Sequence, residues 1–532
     1  MKLTSIAFPS IKEDTDSLYF HSTPFGDSFQ HKMKQGDVFS TDTYFNIFSW
    51  NKYRKYTSLN QFKLTICAEG AFIFRLYTQS VCTKEIVQLS EQYLVFATKS
   101  SQSFSIDPAQ LSDDSMVFFS LEACREGGVF YGGYYHGNVP QRSLKVAIVI
   151  CTYKREMQVN RTLSNLDRFM MGNEQSEIRN QLEVFVIDNG KTLDLKSRSA
   201  IKVRCLSNRN LGGSGGFTRG MIEAYRRKEE FTHILLMDDD ITLDPHVLFK
   251  TIQFLKIVRP EFEQICVAGS NLYDEKPFFQ YEAGAKWDWK NLCIRPVKAD
   301  YDLSQVKTLL ENEKVDDLDF AGWGFFCFPI RYVQKDNFPF PFFIRMDDVE
   351  YAIRNQMHCV TMNGIGFWHP SPEHERYSSL DYYALRNSLV LSACHGGSPH
   401  FNKLKFEKRY FVQVIYGHYE IADCLLQAVL DYLKGIDFFK RVDGEENHKK
   451  ITGILKKGNE FQKHSVSDQV RLTCQALVKR DFWRYVLYYI RVYLLFIRTH
   501  KQIDQEYRSN FRSLCDIETW NYLLKETQHE KV

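Results

Sequence analysis

The stretch His233-Ile234-Leu235-Leu236-Met237-Asp238-Asp239-Asp240 decides how the rest of the chain is read. An unbroken apolar run of this length, ending in polar residues, predicts a strand buried on both faces, as in a parallel sheet. Such sheets place their ligands just beyond the carboxyl ends of the strands, so the three aspartates fall where chemistry is usually done. Their mutual repulsion is costly unless positive charge stands among them, and a divalent cation with oxygen ligands supplies it most directly. The competing reading is a solvated acidic turn, since Asp is common at strand ends and Asp244-Pro245 soon starts a helix.

Working outward, Val146-Ala147-Ile148-Val149-Ile150 is a second fully apolar run, followed by Cys151-Thr152-Tyr153-Lys154-Arg155. A third, Leu182-Glu183-Val184-Phe185-Val186-Ile187, ends in Asp188-Asn189-Gly190. Helix-like segments separate them, which is the signature of a wound, parallel α/β sheet whose strand tips bring Thr152, Asp188 and Asp238 to one edge. Between the third run and the aspartates lies Asn208-Arg209-Asn210-Leu211-Gly212-Gly213-Ser214-Gly215-Gly216-Phe217-Thr218-Arg219-Gly220. Glycines admit a bulky ligand close to the backbone, and the helix starting here turns its N–H groups and Arg219 toward an anion. Glycines also serve turns and close helix packing, and the spacing is neither a Walker loop nor a dinucleotide fingerprint.

Downstream, Asp319-Phe320-Ala321-Gly322-Trp323-Gly324-Phe325-Phe326 is rich in aromatics and glycine. Asp347 and Asp348 open an amphipathic helix, where the macrodipole favours negative charge. A cap needs one carboxylate, which leaves the other for a second task. His369 follows the apolar Gly366-Phe367-Trp368; a lone histidine is more often structural, and the carboxylate cluster is what turns this one toward a metal.

With 532 residues the chain exceeds a single core, and three regions are expected: 1–143, 144–394 and 395–532. The first has short alternating runs such as Phe62–Cys67 and Ala71–Tyr77, parted by Glu69-Gly70, which predict an antiparallel sandwich for bracing, oligomer contact or carbohydrate binding. The last reads as helical, with long stretches at Tyr410–Leu433 and Asp468–Arg498. Arg484, Arg491 and Arg498 recur every seven residues among aromatics, as in a helix lying in a membrane interface or, equally, in a buried helix pair. A net charge of +3 gives no uniform field for nucleic acid. The 13 cysteines are scattered without paired spacing, and neither an apolar leader nor a spanning run of about 18 residues is present, which predicts a cytosolic protein with reduced thiols. Aromatics make up 15% of the chain, enough to fill cores and still leave faces for sugars.

Taken in order, TYKR, IDNG, NLGGSGGFTRG, LLMDDD, GWGFF, MDDVEY and WHP resemble the inverting family 2 glycosyltransferases of the GT-A fold, and more narrowly the bacterial galactofuranosyltransferases. The motifs span residues 144–390. The resemblance implies a GT-A α/β core with an N-terminal β-sandwich domain and a C-terminal helical domain. It implies that Thr152, Tyr153 and Arg155 meet the uridine, that Asp188 lies near base or ribose, and that Asn210, Gly213, Arg219 and Asp239 belong to the donor side. It makes Asp238, Asp240 and His369 ligands of a Mn2+ or Mg2+ ion on the diphosphate, Trp323 and Gly324 the acceptor platform, and Asp348 the base beside Asp347. One departure is that Gly324 follows Trp323 where the family often has paired tryptophans.

The expected activity is metal-dependent, inverting transfer of a sugar, galactofuranose from UDP-galactofuranose, to a hydroxyl of a glycan or lipid-linked glycan. The alternatives are another sugar such as rhamnose, an inactive carbohydrate-binding scaffold, or, more remotely, a nucleotidyltransferase. The expected place is the cytoplasm, peripheral at the inner face of the plasma membrane through the C-terminal helices, with a homo-oligomer compatible and no nucleic acid partner.

Overall fold

Val146–Thr152, Leu182–Asp188, Lys202–Ser207 and His233–Asp238 lie parallel in one sheet of the computed structural model. The structure describes residues 1–22, 32–137, 139, 142–172, 176–195, 200–315, 317–371, 379–396, 403–455, 475–477 and 479–525. Across the sheet the order is Lys202–Ser207, Leu182–Asp188, Val146–Thr152, His233–Asp238, Phe325–Pro329, Cys266–Ala268 and Cys359–Val360. Phe325–Pro329 is antiparallel to both neighbours, and its residues are buried throughout. In register, Asp188 faces Thr152 and Asp238 faces Cys151, so the three strand tips end level at one edge, as the apolar runs predict.

The sheet divides two cores because side chains alternate along each strand. Ile148, Ile150, Val184, Val186, Leu235 and Met237 join a core that continues into the N-terminal sheet. Val149, Ile187, Ile234, Leu236, Phe326 and Phe328 face a second core, shared with the C-terminal helices. The glycine helix, Gly212–Tyr225, crosses this second face at very short range. A Cβ on Gly216 would stand 2.0 Å from Cys151 Sγ, and one on Gly220 would stand 2.1 Å from Val149 Cγ1. These two glycines serve helix-to-strand packing, and of the glycines in this helix only Gly213 has open space where a Cβ would go.

The N-terminal region departs from the expected two-sheet sandwich, because it forms one antiparallel sheet of eight strands. Phe62–Ser80 runs as a single strand where a turn was expected at Glu69-Gly70. It pairs with Ile86–Ile106 on one side, and with Gly128–Gly137 and then Ser115–Ala123 on the other. The ladder shifts register between Ala68 and Gly70, with Gly70 at φ 114°. A bulge absorbs extra residues and bends the ribbon without ending it, so a local turn signal survives inside a continuous strand. Across the bend Phe39 meets Phe130 at 4.8 Å and Phe119 meets Phe130 at 6.0 Å between ring centroids.

The helical stretch expected over Tyr410–Leu433 is two helices, Lys403–Tyr416 and Tyr419–Tyr432, because Gly417 takes a left-handed conformation (φ 80°) that a continuing helix does not allow. Of the stretch expected over Asp468–Arg498, the beginning lies outside the described residues, and the described helix is Arg480–Asn510. Ser379–Cys394 ties this layer to the sheet edge. Its Arg386 donates to the Phe342 carbonyl at 2.7 Å, and Asn387 donates to the carbonyls of Ile344 and Arg345 at 2.9 Å each.

Gly220→Ala is expected to lower stability by ~1–3 kcal/mol, the usual cost of overpacking, since Val149 belongs to a buried central strand that has little room to yield. A urea midpoint equal to that of the parent would show that the helix shifts without penalty.

Candidate active site

Asp238 closes its strand, and Asp240 stands in the turn that follows. His369 reaches them from the strand Gly366–His369, because Thr242 and Trp368 exchange backbone hydrogen bonds of 2.8 and 2.9 Å that stitch the aspartate loop to that strand. One ligating atom from each of Asp238, Asp240 and His369 lies within 4.8 Å of the others. His369 Nδ1–H donates to the Pro370 carbonyl at 2.8 Å, which turns Nε2 toward Asp240 Oδ1 at 3.4 Å.

The electrostatics follow from crowding. Burial and the charge of Asp240 push Asp238 up to about 7. Burial also works against the charged form of Asp240, yet its hydrogen bond with His369 and the charges of His369 and Arg155 hold it at about 2. Burial lowers His369, and the bond and charge of Asp240 outweigh it, raising the imidazole to about 9. Two carboxylate oxygens and an imidazole nitrogen suit a divalent ion such as Mn2+ or Mg2+, and the elevated Asp238 marks the excess negative charge that such an ion would balance. The residues fit the group that the sequence implies.

Asp239 stands apart from this trio. Arg155 bonds Asp239 Oδ1 at 3.0 Å and Asp240 Oδ2 at 2.5 Å, so its guanidinium clamps the aspartate loop. Thr152 is buried at the neighbouring strand tip, while Tyr153, next in the chain, is 42% exposed. Asp188 accepts from the N–H groups of Gly190 (2.9 Å) and Leu193 (2.8 Å), shaping the loop beyond its strand. Asn210 accepts from Gly212 N–H at 3.1 Å and so starts the glycine helix, and Arg219 pairs with Glu223 at 3.0 Å along it. Sequence reasoning passed over Asn189 and Asn208. Asn208 donates to Asn189, which donates to the Gly212 carbonyl at 3.0 Å, fastening a strand tip to the glycine helix.

A second acidic group lies at the start of the helix Asp347–Asn355. The N-cap residue, Met346, supplies no side-chain cap, and Arg345 and Met346 hold left-handed φ values of 68° and 70°. Asp348 Oδ1 accepts only from Val349 N–H, at 2.8 Å, among the hydrogen bonds described. A methyl built on Gly322 would lie 3.9 Å from Asp348 Oδ2 and 4.0 Å from Glu282 Oε1, so Gly322, Asp348 and Glu282 border one space. Burial, then the charge of Asp347, raises Asp348 well above the carboxylate range, and burial also raises Asp347. Glu282 is pushed up to about 7 by burial, with Arg345 opposing. No sequence signal marked Glu282 or Arg345, because their strand and loop approach Asp348 only in the fold.

Trp323 is 6% exposed and packs edge-on against Phe217 (5.4 Å) and Tyr351 (6.2 Å), beneath the surface rather than open on it. The Gly324 carbonyl accepts from Asp238 N–H at 3.2 Å, and a Cβ on Gly324 would strike Phe367 at 2.5 Å. The segment therefore supports the aspartate strand from the side on which Asp348 lies.

Residues 140–272 match the sequence model of the glycosyltransferase-like family 2. The chain's curated relatives include the galactofuranosyltransferase GlfT2 of Mycolicibacterium smegmatis, 25% identical over 382 residues, covering 67% of this chain and 58% of the relative. GlfT2 of Mycobacterium tuberculosis is 24% identical over 381 residues with the same coverage. The chain thus spans 58% of the length of these relatives. Among solved structures, the mannosyltransferase PcManGT of Pyrobaculum calidifontis, in complex with GDP-Man and Mn2+, aligns over 67% of this chain and 88% of its own at 12% identity and a TM-score of 0.32.

Asp240→Asn removes a charged ligand at the partly exposed rim of the trio and is expected to weaken Mn2+ binding at least ~10-fold, with the unfolding midpoint little changed. Isothermal titration with Mn2+ checks this, and parent-like affinity would exclude Asp240 as a ligand.

Proposed function

We propose that the chain is a metal-dependent, inverting glycosyltransferase that moves galactofuranose from UDP-galactofuranose to a hydroxyl of a glycan or lipid-linked glycan. The observation that carries this reading is one sheet edge bearing a cation-ready trio, Asp238, Asp240 and His369, beside a separate carboxylate pair of raised pKa, Asp347 and Asp348. The resemblance to galactofuranosyltransferases supports the donor sugar.

When bound by Asp238, Asp240 and His369, a divalent ion, Mn2+ or Mg2+, supplies Lewis-acid stabilisation of the departing diphosphate. The chain's own residues do the rest. Tyr153, exposed at the strand tip, stacks on the uracil, and Arg155 holds the aspartate loop in place. Gly213, open on its Cβ side, admits the donor close to the backbone at the start of the glycine helix. Thr152 and Asp188 shape the pocket for the nucleoside, with Asn210 and Arg219 behind them. Asp348 takes the proton of the acceptor hydroxyl as the oxygen attacks, and a single displacement inverts the anomeric centre. Its raised pKa suits a base that works near neutral pH. Asp347 and Glu282 orient the acceptor's other hydroxyls, over a floor supported by Trp323 and Gly324. Residues 144–394 form the catalytic unit in this reading, braced by 1–143 and by the helices of 395–532. It works at the inner face of the plasma membrane.

A screen of UDP-sugars with and without chelator tests the reading. Transfer from UDP-galactofuranose that stops with chelator is the expected result, whereas transfer from a rhamnose donor would change the sugar and no transfer at all would favour a scaffold. Asp348→Asn keeps the shape and loses the base, so transfer is expected to fall ~100-fold to 10,000-fold with UDP-sugar affinity preserved. Parent-rate transfer by that variant would remove Asp348 from the mechanism.

Glu282→Gln deletes a like charge that raises Asp348. With it gone, Asp348 ionises at lower pH, and the acid limb of the kcat/KM profile is expected to move downward. An acid limb that stays in place would detach Glu282 from the base.

A further inference from the structure

The helix Arg480–Asn510 is held by one face and open on the other. Phe482, Tyr485, Tyr489, Val492 and Phe496 are buried, and Tyr485 and Tyr489 donate to Asp423 (2.9 Å) and Glu407 (2.5 Å) of the neighbouring helices. On the outer face, Trp483, Leu487, Ile490, Leu494 and Ile497 are 42–57% exposed. Their spacing of four, three, four and three residues makes one continuous apolar stripe along about four turns. Arg484, Arg491 and Arg498 each follow a stripe residue, so all three line the same flank, about 100° around the helix.

Two occupants suit a stripe of this spacing, a second copy of the helix or a lipid surface. Charge decides between them. From Lys479 to Lys501 there are six Lys or Arg against a single acid, Asp481, which already lies 3.7 Å from Arg484. Two such stripes laid together would bring arginine flanks against each other, with acids near Arg484, Asp481 on the same helix and Asp423 on the neighbouring one, but no described ion pair at Arg491 or Arg498. An anionic bilayer offers acyl chains to the stripe and phosphates to the flank. No described helix is long and apolar enough to cross a membrane, so this helix would lie along the surface.

We propose that Arg480–Asn510 docks the protein on an anionic bilayer, inserting Trp483, Leu487, Ile490, Leu494 and Ile497 while Arg484, Arg491 and Arg498 meet lipid phosphates. The proposal deepens the inner-membrane placement given above and is tested apart from catalysis. The full chain is sedimented with phosphatidylcholine vesicles containing or lacking phosphatidylglycerol. The parent is expected to pellet with the anionic vesicles and to stay in solution with the neutral ones.

Leu487→Asp with Leu494→Asp alters only exposed positions and is expected to weaken binding at least ~10-fold, and the triple Arg→Glu variant by about 100-fold or more. Parent-level binding by both variants would overturn the proposal, as would a parent that ignores anionic vesicles. Sedimentation velocity in the absence of lipid supplies the remaining arm: a parent dimer that the aspartate variant converts to monomer would give the stripe to a second copy and overturn the bilayer. Loss of vesicle binding with donor turnover in solution unchanged supports the docking role. Loss of turnover with binding intact would fall on the catalytic reading alone.

Discussion

Like charge gathered at the end of one buried strand is the constraint on which the rest of the site depends. Asp238, Asp239 and Asp240 follow five residues that the sheet buries completely, so the carboxylates are carried to the edge whether or not they repel. The fold answers each differently. Arg155 ties Asp239 and Asp240, His369 holds Asp240 in its charged form, and Asp238 is left elevated near neutrality. In the proposed reading, a cation bound at such a site would relieve repulsion that the fold already imposes on Asp238.

The second carboxylate group is positioned by backbone held against its preference. Phe343, Arg345 and Met346 occupy left-handed conformations, each costing roughly 1–3 kcal/mol for a residue with a side chain. Arg386 and Asn387 bind the carbonyls of this loop from the helical layer, and Glu350, buried and paired with Arg354 (2.9 Å) and His395 (3.0 Å), anchors the helix that follows. The C-terminal helices are therefore part of what aims Asp348. Their outer surface, where the long helix shows apolar side chains to solvent, is free of that duty.

The sheet links these parts because it is shared by two cores. Its one face merges with the aromatic interior of the bent N-terminal sheet, and its other face with the helices. The glycine helix lies against the strand Val146–Thr152 at a distance set by Gly216 and Gly220, which no side chain would permit. A motif that looks like a ligand cradle is thus mostly a packing device, and Gly213 alone among the glycines of this helix has open space beside it.

The apolar runs by themselves determined the parallel strands and their level tips, with Asp238 and Asp240 at one of them, because unbroken apolar runs ending in polar residues are local signals of buried strands; that His369 comes within reach of the two aspartates is seen in the fold. The sequence also put Asp347 and Asp348 at the start of a helix, where the structure has them. Tertiary structure alone decided that Glu282 and Arg345 surround Asp348, that Trp323 lies under the surface, and that Asn189 and Asn208 fasten the glycine helix, since each depends on segments distant in sequence. It also turned Glu69-Gly70 from a turn into a bulge. There the neighbouring strands, which no local window contains, settled a choice that the backbone left open, whereas the break in the expected helix at Gly417 is a local helix end closed by bonds to the Gln413 and Val414 carbonyls.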